Sequence, residues 1–271
     1  MNNRKLMYIV ISIVCIISII LAILRQLKHE DKEKNNNNLQ EQEKTQEERK
    51  KEFDQLFNNE IELNNYDTSK IKRLDQSKEI VYTAYENNSE ENNKYELDVH
   101  IPAINIDGQI AAKFNQTTQQ IFADKTTEIL QGTKFYTIYN ITYTGYINGD
   151  ILSVIIKSTL KEGNNAQRTI VETYNYNLTT EKEVSIYDVI NERGITTEKL
   201  KEKINIEITN AIKEANKIQL AGFETYTRDI NSDIYQVDNI TNFFIGADGK
   251  LEIVFAYGNN NFTSEMDIIE I

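Results

Sequence analysis

Nineteen consecutive residues without a charge, LMYIVISIVCIISIILAIL at 6–24, constrain this chain more than any other stretch. As a helix the run would be about 28 Å long, close to the hydrocarbon thickness of a bilayer. It is apolar on every face, whereas a helix at the edge of a soluble core keeps a polar side. The residues after it, AILRQLKHE, offer no small-residue cleavage site, so an uncleaved anchor is expected rather than a removed signal peptide. The only cysteine, Cys15, lies inside the run, which leaves the rest of the chain without disulfide or thiol chemistry. Arg4 and Lys5 precede the run, and Arg25, Lys28, Lys32 and Lys34 follow it among acids. The count of cations alone does not orient the span. A tail of residues 1–5 is the easier part to leave inside, so the expected arrangement is a single-pass plasma-membrane protein with its C-terminal part outside the cytoplasm.

Beyond the run the chain is acidic. Four of the 30 basic residues lie before residue 29 and no acid does, so 26 basic residues face 42 acidic ones, a net of −16. Such a surface repels polyanions and draws cationic partners. No nucleic-acid partner is expected. Residues 25–78, which include KHEDKEKNNNNLQEQEKTQEERKKE at 28–52, too polar to bury a core, read as a charged stalk. Within it Phe53, Leu56 and Phe57 could dock a short helix on something.

From residue 79 the pattern becomes strand-like: EIVYTAY and KYELDVHI, then the single proline, Pro102. Residues 108–132 carry Ile110, Phe114, Ile121 and Phe122 near one face and stop at a glycine, the pattern of an amphipathic helix. Asn148-Gly149 predicts a tight hairpin between two alternating strands, and Gly163-Asn164-Asn165 turns into a third. In that third strand, RTIVETYNYNL, Tyr174 and Tyr176 share one face and Asn175 and Asn177 the other. Ser185 and Asp188 then stand at capping-box spacing. A nucleophilic serine would need a base, and no histidine lies near it. A second long helix follows, with Leu200, Ile204, Ile208, Ala211 and Ala215 on one stripe and Thr196 or Thr197 as its cap. A hairpin turning at Asp248-Gly249 and a final strand, MDIIEI, complete the chain. The expected class is α+β, with short antiparallel sheets packed on two main helices.

Chemistry-bearing motifs are missing from this sequence. There are two histidines, His29 and His100, no phosphate-binding glycine loop and no hydrolase elbow. No cofactor, no metal site and no catalytic residue is therefore assigned. The alternatives to a binding module are a glycan-active enzyme using carboxylates such as Asp188 or Asp248, and a purely structural envelope protein. The enzyme reading requires two acids facing each other across a cleft. Asp188 and Asp248 are expected at turns instead.

The order of these elements resembles a known pairing. HIPAI, KFNQTTQQIF, YTGYINGDILSVIIKST and ETYNYNLTTEKEVSIYDVI are similar to the N-terminal domain of PdaC-type deacetylases. The long helix with NFFIGADGKLEIVFAYG resembles the domain beside it in RsiV-type anti-sigma factors. The resemblance divides the chain into a domain at 79–180 and a second at 181–271. It implies an extracytoplasmic, membrane-tethered protein of Gram-positive bacteria. It also implies a ligand such as lysozyme, a cationic protein, with peptidoglycan as the other candidate. Two departures limit it: only MNNRK precedes the span, too little for an anti-sigma segment, and no deacetylase domain follows. The candidate contact surface is the loop after the last hairpin, with Tyr257 and Phe262 as aromatic anchors and Asn259, Asn260 and Asn261 as adaptable polar groups.

Overall fold

The computed structural model describes residues 44–63, 67–256 and 264–271. The tail, the apolar run at 6–24, residues 25–43 and 64–66 of the stalk and the loop residues Tyr257, Asn259, Asn260, Asn261 and Phe262 lie outside the described residues. Among the described residues no helix is long and apolar enough to cross a membrane.

Residues from Thr45 to the C-terminus form one compact unit of α+β architecture. Its first element is α1 (Gln46–Asp54), followed by β1 (Ile61–Glu62). Next come β2 (Val81–Glu91), β3 (Tyr95–Ile104), α2 (Gln109–Thr118), a π-helical turn (Gln119–Ala123) and α3 (Asp124–Gln131). Then β4 (Thr137–Asn148), β5 (Ile151–Glu162), β6 (Arg168–Asn177) and β7 (Lys182–Glu183) precede α4 (Ile186–Glu192) and α5 (Thr197–Leu220). The last elements are β8 (Phe243–Ile245), β9 (Leu251–Ala256) and β10 (Met266–Glu270).

The strands make two sheets. One runs β2-β3-β4-β5-β6-β7 with β1 added on β4; the other runs β10-β9-β8. The expectation of short antiparallel sheets needs correcting. Strands β4 and β5 are 12 residues each, and β3 pairs with β4 in parallel, as does β1. The parallel pair follows from the connection: a helix between two strands carries the chain back over the sheet face, which a two-residue turn cannot do. Pro102, which has no N–H to give a ladder, sits opposite Thr83 where the β2–β3 register shifts.

Side-chain alternation stacks these pieces in four layers. One face of the large sheet, with Val99, Ile141, Leu152 and Val154, packs on Ala111, Phe122 and Ile129 of the helix that crosses it. The opposite face, with Tyr146, Ile155 and Val171, meets Phe244, Val254 and Ile268 of the small sheet. The outer face of the small sheet, with Ile253, Phe255 and Ile269, is closed by Leu200, Ile204 and Ile208 of α5. That stripe is the one the sequence marks. The boundary expected near 180 falls between β6 and β7, which pair across it, so both segments belong to one body.

The stalk reading at 25–78 is also corrected from Thr45 onward. Phe53 is 1% exposed, its ring 5.1 Å from that of Phe57 and 6.2 Å from that of Phe244. Arg49 pairs with Glu207 of α5 at 3.2 Å, both buried. The Gln46 amide donates to the Ile268 carbonyl (3.1 Å) and accepts from the Ile268 N–H (2.8 Å). It thereby closes part of the open edge of β10, where unpaired backbone would otherwise stand. A few long-range contacts hold this helix, not a continuous apolar stripe. Turn chemistry needs one adjustment too. The β4–β5 loop is Gly149-Asp150, and only Gly149 is left-handed (φ 56°). Asn148 ends the strand and its amide donates to the Gly246 carbonyl at 3.2 Å.

Candidate functional site

A groove opens between the crossing helix and the edge of the large sheet. Strand alternation builds its floor. Glu172, Tyr174 and Tyr176 are two residues apart on β6 and so share the helix-facing side. Glu183 of β7 is registered opposite Tyr176 and therefore projects to that side as well. Ile110, Lys113 and Phe114 on α2 and Ile121 on the π turn form the opposite wall, and the enclosed volume is about 170 Å³.

Aromatic packing shapes the interior. The Phe114 and Tyr174 rings lie 4.8 Å apart at 40°, and Tyr174 stacks on Tyr176 at 6.3 Å. The wall is fixed by the Asn115 amide, which accepts from the Ile104 N–H at 2.7 Å and donates to the Ile104 carbonyl at 2.9 Å. Beside the wider π turn, the hydroxyls of Thr126 and Thr127 donate to the carbonyls of Phe122 and Ala123, each at 2.9 Å. Such turns interrupt regular helix geometry and recur at functional sites.

Two features mark the groove as more than a packing seam. The Tyr174 hydroxyl is fully buried and has no hydrogen-bond partner among the described residues. Burial, with the Glu183 carboxylate next in effect, pushes its pKa well above the ordinary tyrosine value. Desolvation also raises the Glu172 carboxyl above its usual 4.5, although the residue as a whole is exposed and water moderates the effect. A buried hydroxyl left unsatisfied costs about 1–3 kcal/mol.

The other face of β6 behaves in the opposite way. The Asn175 side chain accepts from the Ser153 hydroxyl at 2.6 Å and donates to the Phe243 carbonyl at 2.8 Å. Ser153 in turn accepts from the Ile245 N–H at 3.1 Å. This buried relay ties the sheets together.

The enzyme alternative finds its two acids apart from the groove. Asp188 closes the capping box at the start of α4, accepting from the N–H (2.8 Å) and hydroxyl (2.6 Å) of Ser185. Those bonds hold its pKa below the usual value. Asp248 lies in the β8–β9 turn, where it accepts from the Lys250 N–H at 3.0 Å. His100 stands 3.2 Å from Asp98 on the strand surface. Among the described residues no cluster of three or more His, Cys, Asp or Glu side chains is placed to hold a metal ion. A second cleft, of about 270 Å³ between α1 and α5, is lined by Lys50, Arg228 and Glu265. Its cations are engaged within the protein: Arg228 grips the fully buried Asp267 at 2.9 and 3.0 Å, and Lys50 faces Glu265.

The groove escapes sequence reading because its signal is a missing bond. The alternation of β6 places Tyr174 on a half-buried face, but nothing local says that its hydroxyl lacks a partner.

No family model matches the chain, and neither does any curated protein. Solved structures do. A DUF3298 family protein from Pseudomonas aeruginosa PAO1 aligns at 9% identity over 68% of this chain and 84% of its own, with a TM-score of 0.41. A member of the same family from Bacteroides fragilis NCTC 9343 aligns at 10% identity over 65% and 80%, with a TM-score of 0.31.

Proposed function

We propose that this chain is a membrane-tethered binding module of the bacterial cell envelope, without catalytic activity of its own. The apolar run at 6–24 anchors it, and the folded unit stands outside the membrane to take a cationic protein such as lysozyme or a piece of peptidoglycan. The observation that carries the reading is the helix–sheet groove. It combines an aromatic wall, a buried hydroxyl awaiting a partner and two flanking carboxylates. Concave sites that combine apolar walls with a few convergent polar groups are the usual form of ligand sites. The acidic excess outside the span adds long-range attraction for a cationic ligand.

Two measurements test this. Protease added to intact cells should remove everything after the span; survival of the C-terminal region until the cells are permeabilised would reverse the topology. The full chain in nanodiscs should bind lysozyme or peptidoglycan fragments, and Phe114→Ala should weaken that binding. Equal binding by wild type and Phe114→Ala would remove the groove from the function.

A further inference from the structure

Resting on that reading, we propose that the groove is a socket for one lysine or arginine side chain of a protein ligand. Size comes first. About 170 Å³ is below the roughly 300–1,000 Å³ of pockets that enclose a drug-sized molecule, so it takes one side chain of a larger partner. The walls set the chemistry next. Ile110, Phe114 and Ile121 line an apolar entry suited to the aliphatic stem of a long cationic residue. The Phe114 and Tyr174 rings offer π faces to the charged head.

Charge decides between ligand classes. Glu172 and Glu183 both line the groove on the face of Tyr174, Glu172 two residues before it on β6 and Glu183 opposite Tyr176, so the groove carries two carboxylates and the Glu183 charge bears on the Tyr174 hydroxyl. No opposite charge among the described residues reaches salt-bridge distance of either one, and Lys113 on the helix wall pairs with neither. An anionic group would meet both acids. A neutral sugar would bring no positive charge to offset the two carboxylates it covers. An ammonium or guanidinium brings only donors and positive charge, which match a groove lined by two acceptor carboxylates and a hydroxyl that can accept. Lys113 is then a built-in competitor, an exposed cation on the rim of a cation socket.

The test uses the full chain in nanodiscs and three capped pentapeptides, alanine throughout except for a central lysine, norleucine or glutamate. The lysine peptide should bind at least about tenfold tighter than its norleucine isostere, and the glutamate peptide should not bind measurably. The double variant Glu172→Gln/Glu183→Gln should abolish the preference for lysine over norleucine. Lys113→Gln should strengthen lysine-peptide binding several-fold, and Tyr174→Phe should weaken it while leaving the melting temperature unchanged or higher. Equal binding of lysine and norleucine peptides would overturn the socket, as would Lys113→Gln weakening the lysine peptide. Oligomers of N-acetylglucosamine provide the separating arm. If they bind in a Phe114-dependent manner while the lysine peptide does not, the cation socket is wrong and the binding module stands. If neither binds and lysozyme binds independently of Phe114, both the socket and the groove's role fail.

Discussion

The two faces of β6 differ in what they leave undone. Toward the small sheet, Asn175 closes a relay of buried hydrogen bonds through Ser153 to the backbone of β8, and Thr173 accepts from the Phe243 N–H at 3.0 Å. Toward the crossing helix, one residue away in sequence, Tyr174 buries a hydroxyl with no partner beneath a groove open to solvent. On β6 the helix-facing side carries Tyr174 and Tyr176 and the opposite side Val171, Thr173 and Asn175, with Tyr176 and Asn175 both buried. What separates the two faces energetically is hydrogen-bond satisfaction. A buried polar group with every bond made specifies one packing arrangement, whereas the same strand can afford a single unmade bond on the face where a ligand enters.

The sharpest way to break this contrast is to remove one phenylalanine from each face. Phe53, sunk between the sheets among Tyr146, Phe244 and Val254, should cost about 3–5 kcal/mol as Phe53→Ala, because the sandwich cannot collapse around the void. Phe114, only partly buried against Tyr174, should cost about 1–2 kcal/mol as Phe114→Ala, in proportion to the smaller area lost. Urea unfolding of the two variants gives the comparison directly. Equal losses would mean that the groove wall is ordinary core.

Polar swaps sharpen the same point with smaller effects. Asn175→Ala orphans the Phe243 carbonyl and the Ser153 hydroxyl and should destabilise by about 1–3 kcal/mol. Tyr174→Phe removes a hydroxyl that makes no bond, so stability should hold or rise by up to about 1 kcal/mol. A Tyr174→Phe chain as damaged as Asn175→Ala would show that the hydroxyl is engaged after all, and the asymmetry between the faces would disappear.

Much of this frame can be read from the residues, and the part that cannot has a common cause. The Ser185–Asp188 box, the Thr196 cap of α5, the glycine turns and the stripe from Leu200 to Ala215 depend on partners at most a few residues away. The sequence also contains the strand–helix–strand order that forces β3 and β4 parallel, a signal available but easily read as two hairpins. By contrast, α1 is held by Phe53, Arg49 and Gln46, each reaching a residue more than 150 positions away. A polar segment anchored at three points has the local look of a stalk. The groove is legible only in its alternation: Glu172 and Tyr174 on one side, Thr173 and Asn175 on the other.

The smallest expected effect is the most specific to the groove, and it lies in the pH dependence of Glu172. Its folded pKa is raised above 4.5 by desolvation, so the folded protein holds that proton more tightly than the unfolded chain does. The sign follows: stability from this group is greatest in acid, declines as pH rises from below 4.5 through the raised folded value, and is level beyond it. Glu172→Gln cannot titrate, so the difference in stability between the variant and wild type should grow in the variant's favour across that window. The gain should reach only a few tenths of a kcal/mol, because the residue is exposed and water screens the penalty. Lys113 from the helix, Glu183 from β7 and the Tyr174 hydroxyl face the same groove in both chains, so their contributions largely cancel in the difference. Chemical denaturation at intervals between about pH 3.5 and 7 would resolve it. A difference that is flat with pH, or that favours wild type as pH rises, would mean that Glu172 is already compensated, and the socket would lose one of its two carboxylates.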